Sequence, residues 1–317
     1  MGRKYKVLDL FAGGGGFSRG FYEAGFSIRC AVENFKPVAE TFKANFPDAE
    51  VIAKDIKKVG SEEITSVVEP DVIIGGPPCE PFTAANPKRM TNPLDRLYVD
   101  PMGRLVLEFI RMVADLKPKI FVMENVPQIL EGKLKDALRR EFKRACYDVY
   151  FNVLRAENYG CPSKRARVFL SNIKIKPEKE DKIVVVWDVI KDLEEINPDI
   201  PNHEYVPITR RKLKRIARLK WGQCLFKYSG AKGKLMNALE RLHPFRLAPT
   251  VKGGSRFIHP FQNRLLTVRE QARLMSFPDN HIFLGGRDTQ FDQVGEAVPP
   301  RLARRIAEVV KERLREM

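Results

Sequence analysis

The first half of the chain alternates short apolar runs with stretches in which apolar residues recur every three to four positions. Lys6 to Leu10, Ser27 to Val32, Val51 to Ala53, Asp71 to Ile74, Ile120 to Glu124 and Val168 to Asn172 read as strands. Between them, Gly16 to Glu23, Lys36 to Asn45, Gly103 to Leu116 and Lys133 to Ala145 read as amphipathic helices. Strand and helix in alternation are the pattern of βαβ units, so an α/β fold is expected, with a doubly wound, Rossmann-like parallel sheet covered by helices on both faces.

That pattern breaks at Lys174 to Glu180, a charged stretch that reads as a linker. From there to about Gln262 the chain is richer in proline, aromatic and basic residues and less periodic. A second, smaller domain over 176–262 is the simplest account, with 1–175 and 263–317 forming the large one. Inside it Thr209 to Lys220, TRRKLKRIARLK, has seven Lys or Arg in twelve positions and no acid. Leu213, Ile216, Ala217 and Leu219 are expected to face inward, leaving Arg210, Arg211, Lys214 and Arg215 to contact phosphates. Arg301 to Met317 reads as a terminal helix with Leu302, Ile306, Val309 and Val310 inward.

Charge sharpens this picture. The 317 residues carry a formal net charge of +16, which favours a polyanionic partner such as nucleic acid. No uncharged apolar run of about 18 residues occurs, and the N-terminus enters a strand pattern at once, so a cytoplasmic protein without a membrane segment is expected. The five cysteines, Cys30, Cys79, Cys146, Cys161 and Cys224, form no C-x-x-C pair, which argues against a disulfide framework and against a metal site. Four of them are expected to be small buried hydrophobes. His203, His243, His259 and His281 lack metal-like spacing and read as surface or hydrogen-bonding residues.

Cys79 stands apart. It lies in GGPPCEPFT, Gly75 to Thr83, directly after an apolar strand. Proline removes backbone donors and restricts the residue before it, so the thiol sits on a stiff loop at a strand's carboxyl end, where ligands gather in open α/β sheets. A second loop, Val7 to Ser18 (VLDLFAGGGGFS), joins strand to helix through four glycines that let a backbone approach a ligand and aim amides at it. The dinucleotide spacing G-x-G-x-x-G is met in no register, which argues against a nicotinamide enzyme. Glu33 and Asp55 follow at the ends of the next two strands, in the order expected for ribose and adenine contacts. Glu124 ends another strand, and Arg165 and Arg167, two apart on entering a strand, point to one side.

DLFAGGGGFS, GGPPCEPFT, FVMENVP, the Arg165–Arg167 pair, TVREQARLMSFPD and VGEAVPPRLARRI occur in one order along the chain. In that order and spacing they resemble the S-adenosyl-L-methionine-dependent cytosine carbon-5 methyltransferases, outside about 176–248. The resemblance implies that Cys79 adds to carbon 6 of cytosine, that Glu124 holds the ring nitrogen 3 and the exocyclic amine, and that Arg165 and Arg167 orient this site and the base carbonyl. It implies a cofactor site at Asp9, Phe11, Gly13, Gly15, Glu33, Asn34, Asp55, Ile56, Pro78, Leu105, Glu296 and Val298, and nucleic-acid contacts at Thr83 and Thr250. Residues 176–262 fall where the family has its target-recognition domain. DNA is the favoured polymer, with cytosine in RNA as the alternative; an inactive nucleic-acid-binding relative is a third reading. A monomer is the expected form, partnered in some members of the family by a cognate restriction endonuclease. The chain departs from the family pattern at Ser163, where glutamine is usual, and at Glu296, where asparagine is usual.

Overall fold

The computed structural model describes residues 4–233 and 235–317. Seven strands form one sheet: β1 (Lys6–Leu10), β2 (Ser27–Val32), β3 (Glu50–Ile52), β4 (Val72–Gly75), β5 (Ile120–Asn125), β6 (Tyr150–Arg155) and β7 (Ala166–Ser171). Their order is β3-β2-β1-β4-β5-β7-β6. The first five run parallel, while β7 is antiparallel to both β5 and β6. The sheet is therefore mixed rather than wholly parallel. The link from β6 to β7 is too short for a crossover helix, so these strands pair as a hairpin. β6 shows no apolar run because it is an edge strand in which only Leu154 is fully buried.

Side chains alternate across the sheet as strand geometry requires. Val7, Ile28, Val72, Ile74, Ile120 and Val122 face one core, covered by the helices Gly16–Glu23 and Pro300–Glu316. Leu8, Leu10, Cys30, Val32, Ile73, Phe121 and Met123 face the other, covered by Leu105–Leu116 and Leu134–Arg144. The terminal helix buries Leu302, Ala303, Ile306, Ala307, Val310 and Leu314. Val309, expected inward, is half-buried, because the small residues at 303 and 307 form the contact line instead.

After β3 the chain crosses back to place β4 beside β1, so connections leave these two neighbours in opposite directions. A crevice opens at their carboxyl ends, where such folds bind ligands. The glycine loop leaves β1 there and the Pro77–Pro78–Cys79 segment leaves β4.

Residues 176–262 hold the helices Val186–Ile190 and Arg210–Ile216 and a two-stranded antiparallel sheet, β8 (Cys224–Ser229) with β9 (Leu235–Glu240). The basic helix is shorter than expected. Ile216 is buried and Leu219 packs beside it, but Leu213 and Ala217 are exposed, since the chain turns off the helix after Ile216. Val186, Ile190, Leu242, Val251 and Phe257 share a buried cluster with Leu266, Leu274, Phe283 and Phe291 of the returning segment.

Cys30 and Cys161 are buried and Cys224 is half-buried, but Cys146 is exposed, at a left-handed turn with φ of 65° that closes the helix before it. His203, His259 and His281 are buried and hydrogen-bonded. Among the described residues no helix is long and apolar enough to cross a membrane, and no group of three or more His, Cys, Asp or Glu is placed to hold a metal ion.

Candidate active site

One cavity of about 930 Å³ occupies the crevice, at the upper end of the range of small-molecule sites. It is lined by residues from both strand-end loops, from β5 and β7, and from the returning helix Arg287–Glu296.

The glycine loop forms its floor. Phe11, Gly13 and Gly15 all have positive φ. Gly15 is required twice over: its φ is 84°, and a Cβ there would lie 2.7 Å from the Phe46 ring. Gly13, with φ of 55°, would direct a Cβ into open space. The loop's amides are mostly spent within the protein. Gly15 N–H donates to Ala12 O, Ala12 N–H to Val32 O, and Gly13 N–H to Glu33 Oε2 at 3.0 Å. The amides of Ala12, Gly13 and Gly15 are therefore not aimed at a ligand, and at these three positions the loop offers close approach instead. His281 Nε2 lies 2.7 Å from Gly14 O and fixes the loop from behind.

Glu33 also accepts from Phe35 N–H at 2.9 Å, so both carboxylate oxygens are oriented by backbone donors. Burial raises its pKa, opposed by those two hydrogen bonds. Asp9, at the end of β1, is buried and accepts from the Ser18 hydroxyl at 2.6 Å. Burial pushes it up to about 7. Asp55 lines the cavity and caps the short turn Ile56–Lys58 through Lys57 N–H. Asn34, Pro78, Leu105 and Val298 also line it. Gly15 and Ile56 do not: Gly15 supports the loop from beneath, and the Ile56 side chain belongs to the core.

Cys79 sits on the opposite wall. Its carbonyl accepts from the N–H groups of Phe82 and Thr83, which turns the chain directly after the thiol. Asn125 Nδ2 donates to Pro77 O at 3.1 Å and ties this segment to β5. Glu124, the residue before, projects into the cavity, where its Oε1 lies 2.7 Å from Arg167 Nε in a largely buried ion pair. Arg165 is almost wholly buried. Its Nη1 donates to Val251 O and Gly295 O at 2.8 and 3.0 Å, and Nη2 to Ala297 O at 2.8 Å. Burial lowers its pKa to about 9, which leaves it charged at neutral pH. Burial also pushes the Cys79 thiol up to about 12; Glu80 and Glu124 add to the rise, and Arg167 and Arg165 oppose it.

The structure thus brings Cys79, Glu124, Arg165 and Arg167 to one cavity with Asp9, Phe11, Gly13, Glu33, Asp55 and Glu296. Thr83 and Thr250 line the same opening. Arg210, Arg211, Lys214 and Arg215 are exposed on a helix outside it. A sequence profile described as C-5 cytosine-specific DNA methylase matches residues 5–312. The chain belongs to this family. A protein of Methanocaldococcus jannaschii, provisionally named a type II methyltransferase, is 54% identical over 315 residues, covering 97% of this chain and 99% of its own. The type II methyltransferase M.DdeI of Desulfomicrobium norvegicum is 34% identical, covering 95% of this chain and 87% of its own. A crystal structure described as a prophage-encoded DNA modification methyltransferase of E. coli matches with a TM-score of 0.79 at 26% identity, over 98% of this chain and 100% of that one.

In this C-5 cytosine methylase several supporting residues escape sequence reasoning. Asn125 lies in the FVMENVP segment directly after Glu124, and the sequence assigns it no role of its own. Glu131 binds Arg96 at 2.7 Å, while Arg96 and Arg89 donate to Met90 O and Phe82 O, bracing the loop after Cys79. Glu157 accepts from Arg165 N–H. No local spacing announces such contacts: Asn125–Pro77 and Glu131–Arg96 join segments distant along the chain, and the other three close irregular turns of six to eight residues.

Proposed function

We propose that the protein transfers a methyl group from S-adenosyl-L-methionine to carbon 5 of cytosine in DNA, with transient addition of the Cys79 thiol to carbon 6. The observation that carries this reading is the single cavity shared by Cys79, the Glu124–Arg167 ion pair and Arg165, facing a glycine loop flanked by oriented carboxylates.

The residues present fit this cofactor. A loop that spends the amides of Ala12, Gly13 and Gly15 within the protein suits a ligand without phosphates, and the open space above Gly13 gives it room. Glu33, held by two N–H groups, keeps lone pairs to accept from ribose hydroxyls; Asp55 is placed to accept from the adenine amine, and Phe11 offers a ring beside them. The bound cofactor supplies an electrophilic methyl group on a sulfonium.

Cytosine carbon 5 is a poor nucleophile, and addition of a thiolate at carbon 6 makes it an enamine. The Cys79 thiol is protonated at rest, and the fields of Arg167 and Arg165 lower the cost of ionising it once the base lies against it. Glu124, oriented by Arg167, is placed to hold nitrogen 3 and the amine as charge develops on the ring. Arg165 bonds carbonyls at 251, 295 and 297, so it fixes the wall that Arg167 stands on. The base reaches this site only when swung out of the helical stack. Residues 176–262 are assigned to target recognition, with Thr83 and Thr250 at the cavity mouth and the basic helix on phosphates. Ala231 N–H donates to Ala84 O at 2.9 Å, which supports a recognition hairpin that works beside the catalytic loop. The type II naming of the relatives supports a cognate endonuclease reading the same sequence.

The test is transfer of a tritiated methyl group to matched DNA and total RNA, followed by bisulfite sequencing of both. Label at cytosines of a short defined DNA sequence is expected. Label confined to RNA would overturn the choice of polymer.

A further inference from the structure

After methyl transfer, carbon 5 must lose its proton before the thiol can leave. Glu296 is the last residue of the helix Arg287–Glu296, and its side chain opens into the cavity that holds Cys79. Gly295 fixes its place. A Cβ at 295 would lie 2.1 Å from the Lys252 backbone, so the helix end is pressed against that segment, and the next side chain is directed into the crevice. The Arg165 guanidinium that reaches Cys79 with its field also hydrogen-bonds Gly295 O and Ala297 O on either side of Glu296. Glu80, the residue after the nucleophile, lines the cavity as well.

We propose that the Glu296 carboxylate is the base that takes the carbon-5 proton. This rests on the methyl-transfer reading above. The carbon-5–hydrogen bond breaks toward a Glu296 oxygen; its electron pair forms the carbon 5–carbon 6 double bond, and the carbon 6–sulfur bond breaks to return the Cys79 thiolate. The proton then passes from Glu296 to solvent through the cavity mouth.

The surroundings suit a base. Glu296 is exposed at the cavity; crowding by the surrounding protein atoms, Glu80 across the cavity, Asp292 on its own helix and Glu33 at the end of β2 raise it to about 7, and Arg165 opposes them. Lys252, which also lines the cavity, has its Nζ 2.7 Å from the Tyr228 hydroxyl. A base of that strength is matched to neutral pH.

The experiment follows a single turnover on ordinary cytosine DNA with tritiated methyl donor, reading both methylated DNA and label that stays with protein on a denaturing gel. In wild type, label appears on free DNA. In Glu296→Gln, methylated DNA is expected to stay covalently bound to protein, with release slowed about 10²–10⁴-fold. Wild-type release should rise with pH through about 7, and Glu80→Gln should move that midpoint downward by removing a like charge while keeping the base. Release from Glu296→Gln at the wild-type rate overturns the proposal, as does a variant that binds cofactor weakly yet traps no adduct. Absence of label on DNA from wild type would instead overturn the methyl-transfer reading itself.

Discussion

On the wall built from the ends of β1, β2 and β3, each carboxylate accepts from backbone N–H groups or a hydroxyl: Glu33 from Gly13 and Phe35, Asp9 from Ser18, and Asp55 from Lys57, whose Nζ also lies 3.5 Å from Asp55 at the surface. On the wall built from β4, β5 and β7, charge meets charge, with Glu124 against Arg167 and Arg165 buried beside them. The same residue type at the same kind of strand end therefore does two jobs. Uncharged donors orient Glu33 and Asp9 and favour their ionised forms, while burial raises both. Fixed guanidiniums keep a charged environment where the reaction develops charge.

The sharpest way to separate the walls is Cys79→Ala. Methyl transfer should fall below detection, while affinity for S-adenosyl-L-methionine by calorimetry changes less than about twofold. A large loss of cofactor affinity would mean that the two walls are not independent.

Asp9 tests the first wall through stability. Its folded pKa, about 7, lies above its ordinary value of 3.8, so between those values the folded protein keeps a proton that the unfolded chain has lost. Stability is then full below about pH 4 and declines as pH rises to 7, by an amount on the order of a few kcal/mol for this group. Asp9→Asn should flatten that decline in urea unfolding measured across the pH range. Equal slopes for variant and wild type would assign the pH dependence elsewhere.

Glu33→Gln keeps one oxygen for its two backbone donors and should weaken cofactor binding by roughly tenfold, or about 1.4 kcal/mol, with little effect on DNA binding. Outside both walls, neutralising Arg210, Arg211, Lys214 and Arg215 together should leave the chemical step unchanged. The slope of log affinity for DNA against log salt should shrink by about 0.9 for each phosphate that the variant no longer neutralises. An unchanged slope would make that helix a solvated face only.

Much of the first wall is legible in the sequence because its parts are consecutive: strand, glycine loop and helix over 6–23, then acids at the ends of two more strands. Cys79, Glu124 and the arginine pair are legible through the residues around them. The hairpin β8–β9, the edge strand β6 and the helices Val268–Leu274 and Arg287–Glu296 are not, because their burial is set by partners far away in the chain. Arg165 is expected from its spacing to converge with Arg167 on one ligand, yet most of its hydrogen bonds go to carbonyls at 251, 295 and 297, which no spacing in the sequence connects.

The central claim is that Cys79 bonds covalently to the target base. It is tested most directly by incubating the protein with S-adenosyl-L-methionine and duplex DNA in which the target cytosine is 5-fluorocytosine, then digesting and sequencing the products by mass spectrometry. Fluorine cannot leave carbon 5 as a proton does, so the account predicts a stable adduct carrying one methylated fluorocytosine on the peptide containing Cys79. Recovery of that peptide unmodified, with methylated cytosine still formed on ordinary DNA, would contradict it.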